Sequence, residues 1–278
     1  MPPKQITVTP IAGSCGAEIG GVDLSQPFDE TTFRAVEQAF LDYLVIFFRG
    51  QNLTPDHQKS FARRFGELRI SDQYQPIDGH PEILEIIKEP DATSIVGNLW
   101  HCDESFLEQP ALGSILYMID CPDYGGDTMF ANQYAAYEAL SPGMQALLSS
   151  LHAVYSDGTL QQRTQGRSMK VHPDAATRPR QEAVHPVVRT HPQSGRKSLF
   201  VHKPYTMRFD GMTDAESRPL LEYLYTHATR PEFTCRFRWD VGSVAFWDNR
   251  CAQHYALNDY SGVRRSGHRV TIIGDVPQ

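Results

Sequence analysis

The sequence has little that would attach it to a membrane, to nucleic acid or to a disulfide framework. No apolar run approaches the roughly 20 residues that a membrane helix needs, and residues 1–9 lack the apolar core of a secretory signal. The five cysteines are odd in number and show no CxxC spacing, which favours reduced thiols. The net charge of −7 offers no basic field for phosphates. These absences predict a cytoplasmic protein without a membrane or nucleic-acid partner.

Short strand-like runs outnumber helical segments along the chain. Clusters of Gly, Pro and Asp separate apolar runs such as residues 44–48, as is typical of strands. Helix signals are fewer: Thr54 and Pro55 form an N-cap followed by a first-turn proline, and Thr213 with Glu216 matches a capping box. The pattern predicts a mainly β fold with flanking helices, of the sandwich or jelly-roll type.

No repeat, low-complexity tract or linker divides the 278 residues, so a single domain spanning 1–278 is predicted. The stretch from about 161 to 182 is polar and rich in Arg, Gln, Ser and Pro. We interpret it as a mobile loop or lid on that domain.

His101 and Asp103 are the first candidates for a metal site. Residues two apart in a strand point to the same face, so both side chains could ligate one metal. A lone His-x-Asp triplet is weak evidence, because it often occurs by chance. His254 would complete a set of two imidazoles and one carboxylate, which leaves open coordination positions and suits Fe(II). A hydrogen-bonded core histidine is the alternative for His254.

Arg265 and Thr128 are candidates for holding a carboxylate near that metal. Arg265 lies 11 residues after His254, just before the strand-like residues 269–273. A guanidinium binds a carboxylate bidentately, as the anchoring of 2-oxoglutarate requires. Thr128, at the end of a Gly-Gly-Asp-Thr segment, could add a hydroxyl. Taken alone, Arg265 would be interpreted as a solvated surface cation and the glycine pair as a plain turn.

With these motifs, the chain resembles the TauD/TfdA family of Fe(II)/2-oxoglutarate-dependent dioxygenases. The resemblance covers nearly the whole chain and includes Trp-His-Cys-Asp at 100–103, Gly-Gly-Asp-Thr at 125–128 and Trp-Asp-Asn-Arg at 247–250. Further matching blocks are residues 16–24, 45–51, 61–66, 185–192, 195–197, 199–201, 254–255 and 264–275. The resemblance implies a single-domain double-stranded β-helix, a cupin-like jelly roll, which agrees with the strand count.

The resemblance also implies roles for the candidate residues. His101, Asp103 and His254 are the expected Fe(II) ligands, and Thr128 and Arg265 the expected contacts of 2-oxoglutarate, with O₂ as the other co-substrate. The expected reaction is hydroxylation of a small, anionic organic substrate with release of succinate and CO₂. Relatives are commonly dimers or tetramers, so a homo-oligomer is expected.

Residues that match the family's substrate contacts are less uniform. Arg269 matches the arginine that meets the substrate's anionic group, and Tyr74 keeps a nearby aromatic. Ser71 stands where the taurine-oxidising members have a histidine, and Tyr205 where they have a phenylalanine. The residues at 97–99 also depart from the family's Asn/Asp-rich run. Taurine itself is therefore doubtful, whereas a sulfonate, sulfate ester, aryloxy acid or other carboxylate stays open.

Two other functions remain open at this point. One is a metal-binding module of cupin type with a different oxidative activity or none, for which Arg265 would have no use. The other is an enzyme of the same fold that acts as a desaturase or halogenase. Halogenases of this chemistry lack the carboxylate ligand, so Asp103 argues against that activity. His185 and His191, which lie in His-Pro contexts, are interpreted as surface histidines of turns.

Overall fold

The computed structural model describes residues 6–158 and 170–278 of the chain. The helices in these ranges are α1 (Glu30–Tyr43), α2 (Pro55–Arg63), α3 (Gln133–Glu138), α4 (Pro142–Leu148) and α5 (Asp214–Ala228). The strands are β1 (Thr7–Pro10), β2 (Ala17–Gly20), β3 (Val45–Phe48), β4 (Pro76–Ile77), β5 (His80–Lys88), β6 (Ala111–Asp120), β7 (Thr128–Asn132), β8 (His152–Ser156), β9 (Glu182–Pro186), β10 (Val188–Thr190), β11 (Lys197–Leu199), β12 (Thr206–Phe209), β13 (Thr234–Phe237), β14 (Val244–Asp248), β15 (Ala252–Ala256) and β16 (Arg265–Ile273).

The helices begin where side chains can accept the unpaired N–H groups of a first turn. The Thr54 hydroxyl accepts from the backbone of His57 at the start of α2, and Pro55 occupies the first helical position. At the start of α5, Thr213 and Glu216 form the reciprocal capping box that the sequence predicts. Both predicted helix starts are confirmed.

Strand β3 is apolar along its whole length because both of its faces are covered. It is an inner strand of an eight-stranded sheet with the order β1-β2-β3-β14-β6-β16-β5-β4. Phe48 faces helices α1 and α2, where the ring of Phe40 stacks on Phe246 of β14 at 3.9 Å. Phe47 points to the other face and stacks on Phe237 of β13 at 3.9 Å.

A three-stranded sheet, in the order β13-β7-β15, covers this second face. The two sheets enclose an aromatic core, and helices α1 and α2 pack on the outer face of the larger sheet. A third apolar cluster joins α3, α4 and α5 to the sheet β12-β8-β9 and the hairpin β10-β11. The prediction of a mainly β jelly roll with flanking helices is confirmed.

The predicted lid at 161–182 lies partly outside the described residues, which resume at 170. The part from 170 onward contacts the segment after α2: the N–H of Gln75 donates to the carbonyl of Lys170, and that of His172 to the carbonyl of Gln73, both at 2.9 Å. A short 3-10 helix follows at Pro173–Ala176. The mobility of this stretch stays a prediction.

The interpretation of His185 and His191 as surface histidines is wrong. His185 is 2% exposed, and its Nε2 donates to the Leu107 carbonyl at 2.9 Å. His191 is 1% exposed, and its Nε2 faces the Asp248 carboxylate at 3.1 Å. Both imidazoles are buried because a protein partner replaces the hydrogen bond that water would make.

All five cysteines are free thiols, as the sequence predicts. Among the helices that are described, none has the length and hydropathy to cross a membrane.

Candidate active site

A backbone bridge brings His101 and His254 together. His254 lies on β15, opposite Phe130 of β7. His101 lies outside the regular strands and exchanges two backbone hydrogen bonds with His254, at 3.1 and 2.9 Å. Asp103 follows in a turn. The expectation that His101 and Asp103 share one face of a strand is therefore wrong, and the bridge and the turn cause their convergence.

The potential ligand atoms of these three residues converge on one buried point. The Nε2 atoms of His101 and His254 lie 3.7 and 3.8 Å from Oδ1 of Asp103, too far for hydrogen bonds. All three ligand atoms lie within 4.8 Å of one another. Two imidazoles and one carboxylate, with a cavity beside them, fit a ferrous ion that keeps open positions.

The surroundings of the histidines favour the protonation state that a metal needs. Nδ1 of His101 lies 2.6 Å from the Leu99 carbonyl, which can only accept, so Nδ1 carries the hydrogen and Nε2 offers a lone pair. Burial lowers the pKa of both His101 and His254, which favours neutral imidazoles. The ring of Trp247 packs 4.7 Å from that of His254 and shields this side of the site.

Ser114 and Asn249 hold Asp103 in place, and neither was predicted as a site residue. The Ser114 hydroxyl donates to Oδ2 of Asp103 at 2.7 Å. Oδ1 of Asn249 accepts from the backbone N–H of Asp103 at 3.0 Å, and its Nδ2 donates to the Ser114 hydroxyl at 3.2 Å. With Oδ2 engaged, Oδ1 is the carboxylate oxygen that faces the histidines. The signal was present, since Asn249 belongs to the Trp-Asp-Asn-Arg block.

Arg269, on β16, connects the candidate metal ligands to a cavity. Its Nη1 donates to Oδ1 of Asp103 at 3.2 Å, and its buried Nε has no hydrogen-bond partner within the described part of the chain. Burial alone would raise the pKa of Asp103, but the charge of Arg269 is the largest effect that opposes it, and the pKa lies well below the usual range. Asp103 is therefore an anion.

The predicted substrate residues line this cavity, whose volume is about 60 Å³. Its wall contains Ser71, Tyr74, Tyr205, Arg269, His101, Asp103 and Glu104. Glu104 is a residue that sequence reasoning missed. Burial raises the pKa of its carboxyl to about 7, against the opposing charge of Arg69.

Arg265 and Thr128 meet around a different residue, Trp239. The Trp239 indole N–H donates to the Thr128 hydroxyl at 3.0 Å, and the Arg265 guanidinium lies 5.7 Å above the indole ring. Neither Arg265 nor Thr128 lines the cavity beside Arg269. Trp239 therefore brings Arg265 and Thr128 into one neighbourhood.

Arg265 is a buried cation, so the surface interpretation of this residue is wrong. It is 6% exposed, its Nε donates to the Gly126 carbonyl at 3.1 Å, and its buried Nη2 has no partner in residues 6–158 and 170–278. Burial lowers its pKa. A buried guanidinium with an unused donor is stabilised by an anion, so the residues fit the carboxylate of 2-oxoglutarate.

The neighbouring glycine is also more than a turn residue. Gly126 has φ of +69°, and a Cβ there would lie 3.0 Å from the Tyr260 ring and 3.3 Å from Cδ of Arg265. A side chain at this position would therefore crowd Arg265, whose Nε donates to the Gly126 carbonyl.

A second trio of potential ligands, His191, Asp248 and Cys251, also lies within 4.8 Å. Its carboxylate is already engaged: Asp248 accepts from Nε and Nη2 of Arg250 at 2.8 and 2.6 Å and faces His191 at 3.1 Å. These contacts explain the trio as a buried ion-pair network that stabilises the turn between β14 and β15.

The chain is similar over almost its full length to known proteins. A family model described as Taurine catabolism dioxygenase TauD, TfdA family matches residues 7–271. The chain is 38% identical to an alpha-ketoglutarate-dependent sulfate ester dioxygenase of Pseudomonas putida, covering 98% of this chain and 91% of the relative. It is 34% identical to an alpha-ketoglutarate-dependent 2,4-dichlorophenoxyacetate dioxygenase of Cupriavidus pinatubonensis, covering 98% and 99%. A crystal structure of a taurine dioxygenase from Burkholderia xenovorans aligns with a TM-score of 0.84 at 37% identity, covering 98% of this chain and 92% of that one.

Proposed function

Because this chain belongs to the TauD/TfdA family of dioxygenases, we propose that it oxidises a small anionic organic substrate with Fe(II), 2-oxoglutarate and O₂. The products are the oxidised substrate, succinate and CO₂. The observation that carries the assignment is the convergence of the His101, Asp103 and His254 ligand atoms within 4.8 Å beside a cavity. Sulfate esters, sulfonates and aryloxyacetates are the substrate classes that the relatives favour.

The protein's own residues bind and orient the reactants. Bound iron with 2-oxoglutarate supplies the oxidation of an unactivated carbon, which side chains alone cannot perform. Ser114 holds Oδ2 of Asp103, so that Oδ1, which also accepts from Arg269, is the oxygen that would meet the metal. Arg265 offers its unused Nη2 to the distal carboxylate of 2-oxoglutarate, with the Thr128 hydroxyl as a second contact.

Arg269 serves the substrate. Its guanidinium is buried in the cavity wall beside the candidate metal ligands, and its Nε remains available to a sulfate, sulfonate or carboxylate. The aromatic side chains of Tyr74 and Tyr205, each less than a tenth exposed, limit the access of water to the same cavity. Positioning of the substrate carbon is therefore the main contribution of these residues.

The alternative of a metal-binding module without oxidative activity is not favoured. The relatives are named dioxygenases, and a buried cation such as Arg265 would destabilise a protein that only stores metal. The homo-oligomeric state and the cytoplasmic location stay predictions.

Release of succinate from 2-oxoglutarate tests the proposal. Arg265→Ala should raise the apparent KM for 2-oxoglutarate at least about 100-fold, because a charge-assisted contact with a buried carboxylate is lost. Binding of Mn(II) should change by less than about 3-fold, since Arg265 is not a metal ligand in this scheme.

Arg264→Ala is the matched control. That side chain is 48% exposed and pairs with Glu85 at 3.5 Å on the surface, so its removal should leave both quantities unchanged. An equal effect of the two substitutions on the KM for 2-oxoglutarate would remove Arg265 from the proposed role.

A further inference from the structure

Glu104, the residue after Asp103, has a backbone conformation that its residue type does not favour. Its φ is +56°, and Leu44 is the other non-glycine residue with a positive φ in the chain as described. Leu44 ends helix α1, a common place for the left-handed conformation. No helix end explains Glu104. Backbone strain of this kind persists where the surrounding structure requires one particular side-chain position.

Arg69 holds the Glu104 side chain in place. Its Nε lies 2.7 Å from Oε2 of Glu104. The arginine is fixed in turn, because its backbone N–H donates to the Thr271 carbonyl at 2.9 Å and its Nη2 to the Gln109 carbonyl at 2.7 Å. A carboxylate has about four acceptor positions on two oxygens, and Arg69 uses only one oxygen. Oε2 is buried, and within residues 6–158 and 170–278 the ion pair with Arg69 does not complete a hydrogen bond to it, so this carboxylate keeps acceptor capacity.

Glu104 lies where two cavities meet. It lines the cavity beside the candidate metal ligands and Arg269, and also a neighbouring cavity of about 180 Å³ that contains Arg69. Ser71, Gln73 and Phe106 line both cavities as well. A substrate held near the metal can therefore reach Glu104, and the neighbouring cavity gives room for the distal end of that substrate.

The wall of the cavity beside the candidate metal ligands therefore presents groups of opposite charge. Arg269 offers an unpartnered N–H to an anionic group, and Glu104 offers acceptor oxygens to a donor. A ligand with an anionic group alone would leave the Glu104 carboxylate desolvated without a new hydrogen bond, which is unfavourable. A dipolar ligand satisfies both residues.

We propose that Glu104, positioned by Arg69, is the residue that selects substrates carrying an ammonium group in addition to the anionic group bound by Arg269. The substrate class is a small zwitterion, an amino-substituted carboxylate, sulfonate or sulfate ester. This inference rests on the proposed function, since it takes the anion to lie at Arg269 near the metal.

Binding of isosteric pairs tests the proposal without turnover. The three pairs are γ-aminobutyrate and valerate, aminopropanesulfonate and butanesulfonate, and aminopropyl sulfate and butyl sulfate; each replaces an ammonium by a methyl group of similar size. Calorimetry is performed at about pH 8, above the pKa of about 7 of the Glu104 carboxyl, on the protein loaded with Mn(II) and N-oxalylglycine, which do not support oxidation. In at least one pair, the ammonium compound should bind at least about 10-fold more tightly, as a charge-assisted hydrogen bond allows.

Glu104→Gln should reduce this preference at least about 10-fold, because the amide keeps the shape but not the charge of the side chain. Glu138→Gln is the matched control: Glu138 also meets an arginine at 2.7 Å, Arg196, but on the surface at 57% exposure. The control should leave the preference unchanged.

Three results would overturn the inference: no discrimination by the wild type in any pair, a preference that survives Glu104→Gln, or no binding of any of the six compounds. The first and third need no variant, so they decide the matter even if Glu104→Gln does not fold. The proposed function is decided separately, by succinate release and its dependence on Arg265.

Discussion

The hydroxyl of Ser114 is predicted to set the metal affinity of the site without touching the metal. It donates to Oδ2 of Asp103 at 2.7 Å, and both groups are buried. A hydrogen bond to a charged group is worth about 1.5–3 kcal/mol. In Ser114→Ala the nearest other donor to Oδ2 is Nδ2 of Asn249, at 3.4 Å, which is too long to compensate fully.

We therefore expect Ser114→Ala to weaken Mn(II) or anaerobic Fe(II) binding by about 10- to 100-fold, the usual effect of removing a partner that orients a metal ligand. Isothermal titration calorimetry measures this affinity directly. Thermal unfolding monitored by circular dichroism should show that the variant is folded at the temperature of the titration.

Ser266→Ala is the control for loss of a serine-to-carboxylate hydrogen bond elsewhere. The Ser266 hydroxyl donates to Oδ2 of Asp120 at 3.0 Å, and it is likewise buried, but Asp120 has no part in the candidate metal site. The metal affinity of the Ser266→Ala variant should remain within about 3-fold of that of the wild type. If Ser114→Ala also binds metal within that range, Ser114 does not position Asp103.

Two predictions concern stability. Phe47→Ala should lower the free energy of unfolding, measured by urea denaturation, by about 3–5 kcal/mol, because the fully buried ring stacks on Phe237 at 3.9 Å. As the control, Val241→Ala, at a 61% exposed position, should change it by less than about 0.5 kcal/mol. Burial lowers the pKa of His185 to about 4, below the unfolded value of about 6.5. The stability that the buried, neutral His185 contributes is therefore complete above pH 6.5 and is lost as the pH falls towards 4. The difference in unfolding free energy between the wild type and His185→Gln should therefore shrink by up to about 3 kcal/mol between pH 7 and pH 4, and a constant difference would contradict this account.

Much of the fold is predictable because local signals agree with tertiary packing. The apolar run at residues 44–48 predicts a strand, and β3 is apolar throughout because helices cover one face and a second sheet the other. The capping residues Thr54 and Thr213 predict two helix starts, since an N-cap depends only on nearby atoms.

Strand β15 was not predicted, because it lacks the apolar pattern that predicts β3. It contains polar residues such as Gln253 and His254, which are buried by pairing with β7 and not by an apolar pattern. The same limitation applies to the geometry of the candidate metal site. Residue types predict His101, Asp103 and His254 as a set, but the cross-chain bridge and the turn that join them depend on tertiary contacts.

Charged residues are the hardest to place from sequence. A charged residue such as Arg265, taken alone, is most often exposed, and its burial against Trp239 follows only from the fold. The pair of Arg69 and Glu104 spans two segments with no shared motif, so only the folded chain reveals it.

Anaerobic visible absorption is the most direct test of the ferrous site. Addition of Fe(II) and 2-oxoglutarate to the folded wild type should produce a weak charge-transfer band, and His254→Ala should abolish it. His152→Ala, at an exposed histidine, should preserve the band. Absence of the band from the wild type, or an undiminished band in His254→Ala, would contradict the assignment of the two histidines and Asp103 as the iron ligands.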